Sequence, residues 1–200
     1  MGGTALSRLI LLGLLAATLY AASLVLLPVQ SVVVVGNHHL SRAEVLKSVG
    51  VFQGDPWLWA GSNRLEELRA NPWVASAQLL RPRVGEVVVE ISERKPVATL
   101  ITPEERFGVA ADGTVLPGAA PVGPEISGFG GDRLREALQI ATLIPDASKI
   151  SYDPTGFTVD WKGKRLWVHD LERLRVWLAS ADKIRGNEIA IYTWGVSIRQ

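Results

Sequence analysis

The stretch WVASAQLLRPRVGEVVVEISERKPVA, Trp73 to Ala98, contains two extended runs, Trp73–Leu80 and Glu86–Ser92, on either side of Arg81-Pro82-Arg83-Val84-Gly85. A proline and a glycine within five residues suit a hairpin connection. In the second run Val87, Val89 and Ile91 alternate with period two, so they share one face and that face meets a core. The pattern predicts an antiparallel pair of strands with one buried side.

Upstream, Ser31-Val32-Val33-Val34-Val35 is a β-branched run that predicts a strand, ended by the turn chemistry of Gly36-Asn37. Ser41-Arg42-Ala43-Glu44 has capping-box spacing, which predicts a helix from Arg42 to Val49 closed by Gly50. Gly54, Pro56 and Gly61 mark a loop. Asn63 with Glu66 repeats the capping spacing for a second short helix, and Asn71-Pro72 stops it, because proline disfavours helical geometry in the residue before it. The order is strand, helix, helix, strand, strand within about 65 residues.

These elements carry a resemblance. Val35-Gly36-Asn37, the capped helix, Gly50 followed by Gly54, Leu68 with Asn71-Pro72-Trp73-Val74, the hairpin, and Ile91-Ser92-Glu93-Arg94-Lys95-Pro96-Val97-Ala98 resemble the POTRA domain of the bacterial cell-division family FtsQ, called DivIB in Gram-positive bacteria. The last eight residues are similar to the "V-x-E-R-x-P-V-A" junction that closes that domain. The resemblance implies a POTRA domain over residues 28–95 and an FtsQ-type β domain over 96–200. It is strongest from Val32 to Leu116 and weaker beyond.

Downstream, Phe107 to Leu116 reads as strand, Asp112-Gly113 turn, strand. Asp132 is placed to cap a helix through about Leu143, with Leu134, Leu138 and Ala141 on one stripe. Phe157, Val159 and Trp161 alternate on a strand, Lys162-Gly163-Lys164 turns the chain, and Arg165 to His169 returns it. Asp170 is placed to cap a last helix with Leu171, Leu174, Leu178 and Ala181 as its buried stripe. Ile189 to Thr193 and Val196 to Ile198 are short extended runs around Trp194-Gly195. The fold class expected is α+β: an N-terminal transmembrane helix, a β-α-α-β-β POTRA domain, then a mixed sheet with two helices.

The transmembrane expectation rests on nineteen consecutive uncharged residues, Leu9 to Leu27. As a helix they are about 28 Å long, close to the roughly 30 Å of a bilayer's hydrocarbon core. Ala21-Ala22-Ser23 would suit signal-peptide cleavage, but the apolar run continues past them and favours an uncleaved anchor. Arg8 then keeps residues 1–8 as a short cytoplasmic tail and sends the remainder outside the cytoplasmic membrane, as a single-pass type II protein.

All twenty Asp and Glu and twenty of the twenty-one Lys and Arg follow Leu27, so the exported part is close to neutral and offers no electrostatic footprint for nucleic acid. Cysteine is absent, which removes disulfides and thiolate chemistry. His38 and His39 are adjacent and point apart on extended chain, a poor geometry for a shared metal, and His169 is distant in sequence. Gly128-Phe129-Gly130-Gly131 lacks the spacing of a phosphate loop, and the pairs Glu66-Glu67 and Glu104-Glu105 read as solvated surface. We expect no catalytic residue, metal or cofactor, and no enzyme.

Binding is the remaining class. Trp57 and Trp59 share one side of an extended loop segment, and with Arg81 and Arg83 they form a candidate POTRA surface for a partner or a lipid headgroup. The FtsQ resemblance further implies an essential-type divisome scaffold at the septum, linking early and late division proteins. It implies that the last strands, through Ile189, Ile191, Tyr192, Trp194, Val196 and Ile198, bind an FtsB-like protein that is itself coiled with an FtsL-like one, with other division proteins meeting the POTRA domain. The family's "D-x-R-Y" before the final glycine is replaced here by Ala190, Tyr192 and Thr193, so the partner contact implied is backbone pairing. The alternatives are a POTRA-bearing transport or assembly factor and an anchored hydrolase.

Overall fold

The computed structural model describes residues 3–130, 133–169, 171–179 and 186–199, with backbone alone for 3–6 and Leu24. The chain divides into two compact units, one ending at Arg94 and one beginning at Lys95.

The first unit starts with helix α1, Gly3–Leu26. Among the described residues no helix is long and apolar enough to cross a membrane. Strand β1 (Ser31–Val35) follows, then α2 (Arg42–Val49), 3-10 turns at Trp57–Trp59 and Ser62–Leu65, α3 (Glu66–Ala70), β2 (Val74–Leu80) and β3 (Glu86–Glu93). The sheet order is β1-β3-β2, with β1 parallel and β2 antiparallel to the central β3. Val87, Val89 and Ile91 are buried, as their alternation requires, and meet Val45, Val49, Leu65 and Leu68.

Local chemistry explains these boundaries. Ser41 accepts from the Glu44 N–H, and the Glu44 carboxylate accepts from the Ser41 N–H, a complete capping box. Gly50 ends α2 in the left-handed region at φ 60°. The capping expected of Asn63 is not found. Asn63 lies inside the second 3-10 turn, which runs directly into α3, so α3 has no side-chain cap. At the other end Asn71 is extended before Pro72, and its Oδ1 accepts from the Trp73 N–H at 2.9 Å.

The end of β3 clamps two loops. The Glu93 carboxylate accepts from the backbone N–H groups of His39 (2.6 Å) and Leu40 (2.9 Å), on the approach to α2. The neighbouring Arg94 guanidinium donates to the carbonyls of Pro72 and Val74, where α3 gives way to β2. His39 stacks on Trp73 with ring centroids 3.5 Å apart, tying the same two loops. Gly36 is required nearby: at φ 85°, a Cβ there would lie 2.0 Å from the Ile91 carbonyl oxygen.

Among the described residues the second unit forms a nine-stranded sheet in the order β12-β11-β10-β9-β8-β7-β4-β5-β6. Its elements are β4 (Pro96–Ile101), β5 (Arg106–Ala110), β6 (Val115–Leu116), β7 (Glu125–Gly128), α4 (Arg133–Leu143), β8 (Lys149–Asp153), β9 (Gly156–Trp161), β10 (Lys164–Val168), α5 (Leu171–Leu178), β11 (Glu188–Ile191) and β12 (Val196–Arg199). Parallel pairs β7–β8 and β10–β11 enclose α4 and α5 in sequence, the crossover that parallel neighbours require. Leu138, Ile140 and Ala141 of α4 and Leu174 and Trp177 of α5 share one core with Ile150, Phe157, Val159, Leu166 and Val168. Asp132, Asp170 and Ala181, expected as caps and stripe, lie outside the described residues.

Burial acts to raise the Glu93 carboxyl pKa, but the hydrogen bonds from His39, Leu40 and His38 outweigh it and hold it below the usual glutamate range. A depressed folded pKa contributes stability that is present above the unfolded value and lost as pH falls through the folded one. Glu93→Gln is therefore expected to cost about 1 kcal/mol at neutral pH, after allowing for solvent screening. Urea unfolding of both proteins as a function of pH checks this: the gap closes in acid, whereas a gap constant down to low pH would assign the loss to packing.

Candidate functional site

The C-terminal strands set a sheet edge. β11 pairs with β10 on one side and β12 on the other, so its backbone is already used. β12 is the outermost strand, and among the described residues nothing pairs with its outer side. The Tyr192 N–H donates to the Gly195 carbonyl at 2.8 Å, which closes the β11–β12 turn with a hydrogen-bonded pair. Antiparallel ladders alternate, so Ala190–Ser197 and Glu188–Arg199 are the next bonded pairs, and Ile191–Val196 and Ile189–Ile198 are not. The N–H and C=O groups of Val196 and Ile198 consequently face the open side.

The two faces of this edge differ. Ile189 and Ile191 of the expected partner-binding segment have their side chains buried in the core. They hold β11 against α5. Val196 and Ile198 lie on the same face one strand further out, past the cover of α5, and are 45% and 46% exposed. Beside them Arg173, Val176, Trp177, Tyr192 and Trp194 line a hollow of about 230 Å3. On the opposite face a hollow of about 360 Å3 is lined by Thr158, Arg165, Trp167, Ala190, Ser197 and Arg199, among others. Trp194, 80% exposed at the turn, stacks on Tyr192 at 5.0 Å, and Tyr192 lies 5.1 Å from Trp167.

The residues expected on the first unit's surface separate into two groups. Trp57 and Trp59 occupy a 3-10 turn, not an extended segment, so they do not share a side. The Trp57 indole donates to the Glu86 carbonyl at 2.9 Å and carries the Arg81 guanidinium 5.3 Å from its ring centre. Trp59 instead meets Tyr20 of α1, with centroids 6.1 Å apart. Arg83 pairs loosely with Glu86 at 3.7 Å and is otherwise in solvent. Among the described residues no three His, Asp or Glu side chains gather as a metal set.

Residues 27–94 match the POTRA domain, FtsQ-type. A cell division protein FtsQ of Bradyrhizobium diazoefficiens is 33% identical over 89 residues, which are 44% of this chain and 26% of that relative. The chain carries an FtsQ-type POTRA domain. The aligned part spans about a quarter of the relative's length. Within the POTRA domain, the Glu93–Arg94 clamp gives the family-like junction its physical role.

Two contributors to the edge were missed in sequence. Trp167 alternates with the buried Leu166 and Val168, so period two places it on the outer face. Trp177 lies three residues after Leu174 and extends the buried stripe of α5, leaving Val176 68% exposed beside the hollow. Both signals were present as spacing. Because Ile189 is core and Ile198 is edge, Ile189→Ala should cost about 2–5 kcal/mol of stability and Ile198→Ala under about 1 kcal/mol. Equal losses in denaturant unfolding would assign Ile198 to the core and remove it from the candidate site.

Proposed function

We propose that this chain is a non-catalytic cell-division scaffold, anchored in the cytoplasmic membrane at the septum, whose β12 edge receives a strand from an FtsB-like partner coiled with an FtsL-like one. The observation that carries this reading is the edge: two outward-facing residues, Val196 and Ile198, flanked by a hollow on each face of the sheet. A strand laid there alternates its side chains between the two hollows while its backbone pairs with β12. The FtsQ-type POTRA domain and the division-protein relative support the cellular setting. In this reading residues 96–200 are the FtsQ-type β domain, and the POTRA domain serves other division proteins.

Magnitudes shape the mechanism. Two N–H and two C=O groups, at about 0.5–1.5 kcal/mol net each, supply about 2–6 kcal/mol. Ordering the incoming strand consumes a comparable amount, so backbone pairing alone does not hold a partner. The apolar hollows and a shared membrane supply the remainder, the latter by raising effective concentration. The anchor is argued from the sequence, by the uncharged run Leu9–Leu27.

Ile198→Pro tests the site, because it removes an outward N–H while sparing the ladder to β11, and edge strands tolerate proline. With the full chain in nanodiscs, binding of the FtsB-like and FtsL-like pair should weaken about tenfold or more. Thermal unfolding should change little, and Ile198→Ala should retain most of the affinity. Unchanged binding by a folded Ile198→Pro variant would sink strand addition at β12.

A further inference from the structure

The junction between α1 and the POTRA domain is not a free linker. Trp57 donates its backbone N–H to the Leu27 carbonyl at 3.0 Å, Val29 donates to Asp55 at 2.7 Å, and Gly54 donates back to Val29 at 2.8 Å. On the other side, Gln30 and Ser31 both donate to the Gly85 carbonyl, at 2.7 and 3.1 Å. The residues leaving α1 are thus held between the 54–57 segment and the β2–β3 connection. Arg81 joins those two segments, donating to the Leu58 carbonyl at 3.1 Å.

The 3-10 turn reaches back along the helix. Trp59 packs on Tyr20, which precedes Leu27 by seven residues, or about 10 Å of helix axis. Ser23, between them along α1, is buried. If α1 leaves the hydrocarbon near Leu27, the Trp59 ring lies below that exit, at the depth of the headgroup and acyl boundary. Leu58 (51% exposed), Trp59 (52%) and Val84 (61%) are exposed apolar side chains on the segments that hold the chain as it leaves α1.

The chemistry of this rim suits a lipid interface. Tryptophan favours that boundary because its indole is apolar with one polar edge. The turn pairs much of its own backbone: Trp59 donates to Pro56, Ala60 to Trp57 and Gly61 to Trp59. Such closure is what entry into a water-poor zone demands. Arg81 and Arg83 sit beside the apolar tips, and the Arg83 side chain, 84% exposed, is held only by a loose 3.7 Å pairing with Glu86 that a phosphate can replace.

We infer that Leu58, Trp59 and Val84 seat in the headgroup and acyl boundary of the bilayer beside α1, with Arg81 and Arg83 on anionic lipid phosphates, so that the POTRA unit is held in a fixed pose on the membrane. This rests on the reading of α1 as a span. The contact is interfacial, of the kind that buries apolar tips by about 5–10 Å.

The absence of native cysteine makes the test clean. Single cysteines at Gly13, Leu58, Val84 and His38 of the full chain carry nitroxide labels in vesicles of phosphatidylethanolamine and phosphatidylglycerol. A Cβ at Gly13 meets nothing within 4 Å, so the span reporter is tolerated. His38 follows β1 and lies about 17 Å or more from the junction. Collision with oxygen relative to a water-soluble nickel complex should be severalfold higher at Gly13, Leu58 and Val84 than at His38, and lower at Leu58 when neutral lipid replaces phosphatidylglycerol. A lipid-exposed Gly13 label with Leu58 and Val84 as aqueous as His38 overturns the inference and leaves the span standing. An aqueous Gly13 label overturns both.

Discussion

The pair Glu93–Arg94 at the end of β3 is the constraint on which the first unit depends. β3 is the central strand, and Glu93 at its end and Arg94 just beyond it reach the chain on either side. One carboxylate gathers the backbone N–H groups ahead of α2, and one guanidinium gathers carbonyls between α3 and β2. Opposite charges serve opposite backbone polarities, so neither residue can do the other's work. With Gly36 pressed against Ile91, these contacts fix both helices over Val87, Val89 and Ile91.

Much of this was legible because it is local. The alternation in β3, the Ser41–Glu44 box and the Asn71-Pro72 stop each bring together residues within a few positions, where spacing determines geometry. Asn63 failed because capping competes with other turn geometries, and a 3-10 turn leading into α3 removed the helix start it would have served. Trp57-Leu58-Trp59 failed similarly: period two implies a shared side only if the chain is extended, and here it turns.

The C-terminal edge was legible as a segment but not residue by residue. Apolar character marks Ile189, Ile191, Val196 and Ile198 alike, yet the first pair is core and the second is rim. The difference comes from α5, which covers β11 and stops short of β12, and from the parallel β10–β11 pairing that α5 makes possible. Which backbone groups face outward depends on hydrogen-bond parity, set by the Tyr192–Gly195 bond at the turn. No composition or periodicity carries that information.

Within the second unit, β12 is six strand spacings from β4, where the chain enters, or roughly 29 Å across the sheet. The edge offers only a few outward backbone groups, so on the proposed reading its occupancy responds steeply to local concentration. Each tenfold change in effective concentration is worth about 1.4 kcal/mol, comparable to one or two of the hydrogen bonds the edge can form. On the proposed reading, a scaffold of this kind gathers its partner where both are concentrated and releases it elsewhere, without any change in its own fold.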